Sequence, residues 1–231
     1  MNRPPRAPYL ERMTTDPATA PLTVDVFADI ACPFCYIGLE RLTKLAAERP
    51  LQVTWRPFQL QPDLPREGVD WAVFRAQKFG GDAGAQAAFD HVTQYACTDD
   101  VCFNWDAIGK AANTRDAHRV ILLAQDRGVG VAAAMRLMRA HFEEGADVGS
   151  ADVLARLAVE VGVDEADVRT VLAGNAYGAE VDASQGLAAR SGVQGVPFYV
   201  LRAQYALSGA QPLDTMRGAL AWAAAQPLSP A

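Results

Sequence analysis

Leu22-Thr23-Val24-Asp25-Val26-Phe27-Ala28-Asp29-Ile30-Ala31-Cys32-Pro33-Phe34-Cys35-Tyr36-Ile37-Gly38-Leu39 holds two hydrophobic patterns joined by a pair of cysteines. Leu22, Val24, Val26 and Ala28 fall on one side at period two, which predicts a strand. Beyond the cysteines, Ile37, Leu39, Leu42, Leu45 and Ala46 recur at helical spacing until Pro50 ends the pattern. Leu51-Gln52-Val53-Thr54-Trp55-Arg56-Pro57-Phe58 then predicts a second strand. Strand, helix and strand in so short a stretch make a parallel crossover unit. It puts the cysteines at the carboxyl end of the first strand, where open α/β sheets gather their chemistry.

Outward from this unit, residues 67–190 change character. They are Ala-rich, helical in period and punctuated by glycine, and they predict five or six helices and no convincing strand. Ile121, Leu122, Met135, Met138, Leu154, Leu157, Val168 and Leu172 are the expected core positions, with Ser150 and Asp164 as helix N-caps. Strand character returns in Val196–Leu201 and Gln204–Ser208, read as a hairpin pair, and Leu213–Ala225 reads as a closing helix. The plan is a two-layer α/β fold over 22–66 and 191–231, split by an all-helical insertion over 67–190.

Composition limits the function. Of 231 residues, 50% are hydrophobic and 21% charged, as in a soluble globular chain. With a net charge of −6 and scattered Lys and Arg, no basic stripe exists to displace counterions from nucleic acid. No run of 18 apolar residues is present, so no membrane span is expected. Residues 1–21, rich in proline and charge and without an apolar core, are expected to be a disordered extension rather than a secretory signal, and Met13 offers an alternative start. The expected compartment is the reducing cytoplasm, where four cysteines point to catalysis, metal binding or redox work rather than a structural framework.

The spacing of Cys32 and Cys35 carries the chemistry. Residues three apart on a helix share a face, so the two sulfurs can meet. With Cys32 as N-cap, Pro33 takes the first helical position, where its missing N–H costs nothing. The Cys35 amide then points back at the Cys32 sulfur, and free amides and the helix dipole favour a thiolate there. In this motif a cysteine pKa falls from ~8.5 to between ~3.5 and ~7.5. The thiolate attacks in disulfide exchange, which makes Cys32 the expected nucleophile and Cys35 the buried resolving thiol. Core packing and half a zinc site are the alternatives; the strand–pair–helix context favours redox chemistry.

Asp29-Ile30-Ala31-Cys32-Pro33-Phe34-Cys35-Tyr36-Ile37-Gly38 resembles the active-site segment of the DsbA-like thioredoxin-fold family, in its FrnE-type branch. Phe58-Gln59-Leu60-Gln61-Pro62, Gly195-Val196-Pro197-Phe198 and Ser208-Gly209-Ala210-Gln211-Pro212 resemble three further segments, so the likeness covers residues 22–225. It implies a thioredoxin fold with an all-helical insertion. It also implies a cis Val196–Pro197 bond beside the cysteines, whose backbone binds the substrate chain; by residue type alone Pro197 would be a strand-entry proline. Asn113-Thr114 and Ala117-His118 resemble part of the insertion that faces the active site. Kappa-class glutathione transferases and hydroxychromene-carboxylate isomerases resemble the same fold, but typically have serine at the first cysteine position.

Cys97 and Cys102 enclose Thr98-Asp99-Asp100-Val101. On one continuous helix their side chains would diverge, so a bond between them needs a turn, and Thr-Asp-Asp suits one. So short a loop is a weak entropic staple. The pair is open to three readings: a local structural disulfide, an auxiliary redox pair, or unpaired packing thiols. Asp99 and Asp100 should disfavour thiolates there. Asp29 and His118 are candidates for a proton relay, against the blander readings of a loop-solvated carboxylate and a satisfied helix histidine. Asp25 is expected to face a sheet edge.

The resulting expectation is a thiol–disulfide oxidoreductase or isomerase with protein disulfides or thiols as partners. No cofactor beyond the cysteines is expected, with glutathione or another thiol donor as their exchange partner. A glutathione-dependent transferase or isomerase on the same fold is the alternative. A cysteine-held metal or interaction module is the third reading, weakened by the long separation of Cys35 from Cys97.

Overall fold

The computed structural model describes residues 21–227, so the expected N-terminal extension, Pro21 apart, lies outside the described residues. β1 (Leu22–Ala28) leads into α1 (Pro33–Glu48) and β2 (Leu51–Pro57). β1 and β2 pair in parallel from Leu22 against Leu51 to Ala28 against Pro57, as the crossover reading requires. β5 (Phe198–Leu201) joins the other side of β1 antiparallel, and β6 (Tyr205–Ser208) closes the hairpin at the edge, giving the order β2-β1-β5-β6. α9 (Leu213–Ala225) packs against α1. Asp25 sits on this central strand rather than at an edge, and its carboxylate accepts from Arg56 Nε across β2 at 2.7 Å.

Between β2 and β5 lie seven helices among the described residues: α2 (Trp71–Phe79), α3 (Asp82–Tyr95), α4 (Arg115–Asp126), α5 (Gly130–Phe142), α6 (Ala151–Glu160), α7 (Glu165–Ala173) and α8 (Gly178–Arg190). Five or six were expected. Nearly every glycine marks a real break: Gly80, Gly81, Gly128 and Gly162 all adopt positive φ, which glycine tolerates without steric cost. Ser150 and Asp164 are N-caps as read, and Asp164 accepts from the Ala166 and Asp167 amides.

The insertion is not all-helical. β3 (Val69–Asp70) pairs antiparallel with β4 (Lys110–Ala111), a ladder two residues long. A two-residue strand is too short for alternation to show in sequence. Gly68 lies against the pair with φ 74°, and a Cβ there would stand 2.6 Å from the Ala111 carbonyl oxygen.

One hydrophobic cluster joins the sheet, α1 and the insertion. It runs from Val24, Val26 and Trp55 through Leu39 and Leu42 to Ile121, Leu137, Met138, Leu154, Leu157 and Val168. The expected core positions belong to it except Leu122, which is buried outside it, and Met135 is half-buried at its rim. β2 lies against α4, α5 and α8, and α1 against α5, so the insertion is packed onto the strand–helix–strand unit that holds the cysteines.

Candidate active site

Cys32 caps α1 in extended conformation, with φ −103° and ψ 110°, and Pro33 follows in the first turn. The Cys35 amide donates to Cys32 Sγ at 3.2 Å. That donor comes from the end of the helix where the dipole is positive, so it supports negative charge on the sulfur. Cys32 is 4% exposed and Cys35 fully buried. Burial, then the neighbouring Cys32 sulfur, hold the Cys35 thiol well above its ordinary range, and the charge of Asp29 adds to this. Cys32 can therefore meet an incoming disulfide, whereas Cys35 meets only what Cys32 has already bound.

Val196–Pro197 is cis, and the Val196 carbonyl accepts from Cys32 Sγ at 3.6 Å. The loop thus stands directly against the first cysteine. Gly38 and Tyr199 make the approach close. A Cβ on Gly38 would overlap Tyr199 Oη and lie 3.0 Å from Pro197 Cγ. Gly38 lies in the quoted motif but attracts no role from spacing alone. Its signal is the cost of glycine inside a helix, about 1 kcal/mol against alanine, which calls for a packing reason. Gly38→Ala tests it by sign: helix propensity alone would stabilise. Overpacking against a fully buried tyrosine should instead lower stability by about 1–3 kcal/mol and push the 196–197 loop off Cys32. The denaturation midpoint in urea reads the difference.

Asp29 is not solvated. It is 1% exposed, accepts from the Leu60 amide at 2.7 Å, and lies 3.3 Å from His118 Nε2, off the line of a well-formed hydrogen bond. The Leu60 contact gives the segment after β2 its purpose. Trp55 Nε1 donates to His118 Nδ1 at 3.2 Å. An indole N–H can only donate, so Nδ1 is the acceptor and the proton of the neutral ring sits on Nε2, facing Asp29. Burial raises the Asp29 proton affinity, but His118, the Leu60 amide and Thr114 outweigh it, and the net shift is downward. A carboxylate so held is an anion beside Cys35, able to carry a proton only in passing.

His141, which attracts no role in the sequence, is buried beside Phe142 with ring centroids 4.7 Å apart. Burial lowers its pKa to about 4. The folded state therefore keeps the ring neutral where the unfolded chain would protonate it. The resulting stability is complete above about pH 6.5 and lost as pH falls toward 4. The loss is on the order of 3 kcal/mol across that window. His141→Gln should flatten the stability–pH curve between pH 6.5 and 4, as followed by urea denaturation at each pH; an unchanged slope would contradict it.

Cys97 and Cys102 are exposed, which rules out the packing reading, and all four cysteines are free thiols in this structure. The loop between Cys97 and Cys102 is fastened to α1 at two points. Arg41 donates to both carboxylate oxygens of Asp99, at 2.7 Å from Nη2 and 3.0 Å from Nε. Glu143 Oε1 accepts from the Cys102 amide at 3.2 Å and from Tyr36 Oη at 2.8 Å. Asp99 and Asp100 do not stand as free negative charge around the thiols, because Arg41 and Lys44 pair with them.

A profile of the DSBA-like thioredoxin domain matches residues 23–221. The chain belongs to that family. Among solved structures, a probable DsbA oxidoreductase from Streptomyces coelicolor shares 34% identity, with 91% of this chain and 94% of that one covered and a TM-score of 0.81. The cytosolic disulfide reductase DsbM of Pseudomonas aeruginosa, also solved with GSH, shares 21% identity over 87% of this chain and all of its own, at TM-score 0.64. A 2-hydroxychromene-2-carboxylate isomerase shares 18% identity, covering 87% and 95%, at TM-score 0.65. The last two are likenesses of fold. This DSBA-like chain carries both cysteines at the start of α1, and no described helix is long and apolar enough to cross a membrane.

Proposed function

We propose that this protein is a thiol–disulfide oxidoreductase that exchanges disulfides with protein or low-molecular-weight thiol substrates in the cytoplasm, as a FrnE-type member of its family. The observation that carries the reading is the Cys35 amide on Cys32 Sγ at 3.2 Å, with Cys35 itself fully buried. Cys32 attacks one sulfur of the substrate, its partner sulfur leaves, and Cys35 resolves the mixed disulfide by attacking Cys32. In the reverse direction the oxidised pair accepts two electrons from a dithiol. Val196 and Pro197 line the approach and offer backbone to the substrate chain. Asp29, positioned by His118, keeps the resolving thiol protonated until the mixed disulfide has formed, then takes the proton in passing. Isomerase activity follows when the mixed disulfide is attacked by a second substrate thiol before Cys35 reacts.

Cys97 and Cys102 serve in this reading as an auxiliary pair, bridged on oxidation and coupled to α1 through Asp99–Arg41 and Glu143–Tyr36. The exposure of both thiols and these two ties support it.

Insulin reduction with glutathione or a dithiol as electron donor tests the main reading. The double variant Cys32→Ser/Cys35→Ser should be inactive. Conjugation or isomerisation with glutathione that survives in that variant would favour the transferase reading instead.

A further inference from the structure

A cavity of 260 Å³ opens between the start of α1 and the insertion. The neighbours of Cys32 on both sides, Ala31 and Pro33, form part of its wall. Phe and Trp side chains share the rest with aliphatic residues and with a few polar ones, among them Asp29, Lys78 and His141. Trp71 lies parallel to Phe89 at 5.9 Å, and Phe89 parallel to Trp105 at 4.4 Å, interplanar angles 13° and 7°. Phe74 continues the stack on Trp71 at 5.8 Å. All four rings line the cavity. The Trp71 indole N–H is buried and has no acceptor. Protein interiors leave few voids larger than a water molecule, so an apolar space of this size kept open beside a reactive sulfur calls for an occupant.

Size and lining identify its chemistry. An apolar cavity of about 150 Å³ holds benzene, so this one holds a ring system of one to two fused rings. The four rings are already stacked on one another, so they offer a guest mainly their edges, against which a flat aromatic ring packs edge to face, and the face of that ring can accept the orphaned indole N–H. Cys32 is only 4% exposed, which suits a slim substrate over a folded protein surface.

We propose that this cavity is a subsite for a planar aromatic group carried on a short arm from a sulfur of a low-molecular-weight disulfide. The inference rests on the redox reading above and names its substrate class. The Cys32 thiolate attacks the sulfur bearing the aromatic arm. A bond forms between the two sulfurs, the substrate S–S bond breaks, and the other half leaves as a thiolate that takes a proton from water. Cys35, losing its proton, then attacks Cys32 and releases the aromatic thiol. The dithiol has given two electrons, the substrate disulfide has become two thiols, and Cys32–Cys35 is a disulfide.

The test is single-turnover oxidation of the fully reduced full-length protein by naphthylmethyl 2-hydroxyethyl disulfide and by bis(2-hydroxyethyl) disulfide. Each rate is divided by that of the same disulfide with free dithiothreitol, which removes intrinsic reactivity. The aromatic disulfide should be favoured by about tenfold or more, the scale expected for burying part of one ring. The preference should collapse toward unity in Ala88→Leu, which fills the cavity from half-buried α3, and in Phe74→Ala, which removes half-buried wall. Equal normalised rates in the unaltered protein would overturn the subsite while leaving the redox reading intact. A peptide disulfide with phenylalanine next to its half-cystine that is favoured over the small aromatic disulfide would overturn the assignment of a low-molecular-weight substrate. Failure of both small disulfides and the peptide to oxidise Cys32 and Cys35 would count against the redox reading itself.

Discussion

Cys32→Ser is expected to abolish disulfide exchange, with a loss on the order of 10⁴-fold or more, the scale seen when a nucleophile is removed. Serine keeps the N-cap geometry, since its hydroxyl can accept the Cys35 amide as the sulfur does at 3.2 Å. The variant should therefore fold normally, and the loss would belong to the sulfur. Cys35→Ser should behave differently. Cys32 would still attack, but nothing would resolve the product, so mixed disulfides with the substrate should accumulate and be visible by mass. The asymmetry follows from burial, because Cys35 has no exposure and Cys32 retains a little. Trapped adducts on Cys35 in Cys32→Ser, instead of on Cys32 in Cys35→Ser, would reverse the assignment.

Arg41→Met is expected to lower stability by about 3–5 kcal/mol, because it leaves a buried carboxylate without its counter-charge. The side chains of Arg41 and Asp99 are 6% and 5% exposed. Arg41 also donates to the carbonyls of Ala210 at 2.8 Å, Gln211 at 3.0 Å and Tyr95 at 3.3 Å, so one guanidinium joins α1, the end of α3 and the loop before α9. Burial pulls the guanidinium toward neutrality, and Asp99 and Tyr95 more than reverse that. The double variant Arg41→Met/Asp99→Leu should recover much of the loss, since removing both charges removes the orphan. Urea denaturation of the three proteins checks this. A single variant as stable as the unaltered chain would mean that Asp99 finds water or Lys44 instead.

The fold was legible where periodicity was long enough to read. β1, α1 and β2 are set by alternation, by helical spacing and by Pro50, and the cysteine motif fixes how they join. The cis bond at Pro197 became readable only through the family likeness, because its residue type alone suits a strand entry. What stayed hidden depends on contacts between distant segments. Arg41 on α1 and Asp99 in the loop after α3 are ordinary surface types until the fold buries them together. The same holds for Asp29, whose partners Leu60 and His118 come from separate elements. Gly38 carries a local signal, a glycine inside a helix, but the Tyr199 side chain that explains it comes from β5, far along the chain. The β3–β4 ladder was too short for any pattern, and the aromatic cavity draws its rings from α2, α3 and the turn at Trp105–Ala107.

The central claim is that Cys32 and Cys35 form one reversible redox couple. Equilibrating the protein in thiol–disulfide buffers of graded potential, quenching by alkylation and weighing the proteolytic fragments tests it most directly. The account predicts that the fragment holding both cysteines loses two hydrogens in a single two-electron step, with a midpoint between about −270 and −120 mV. A fragment that keeps both thiols throughout that range, or carries only adducts with the buffer thiol, would contradict it.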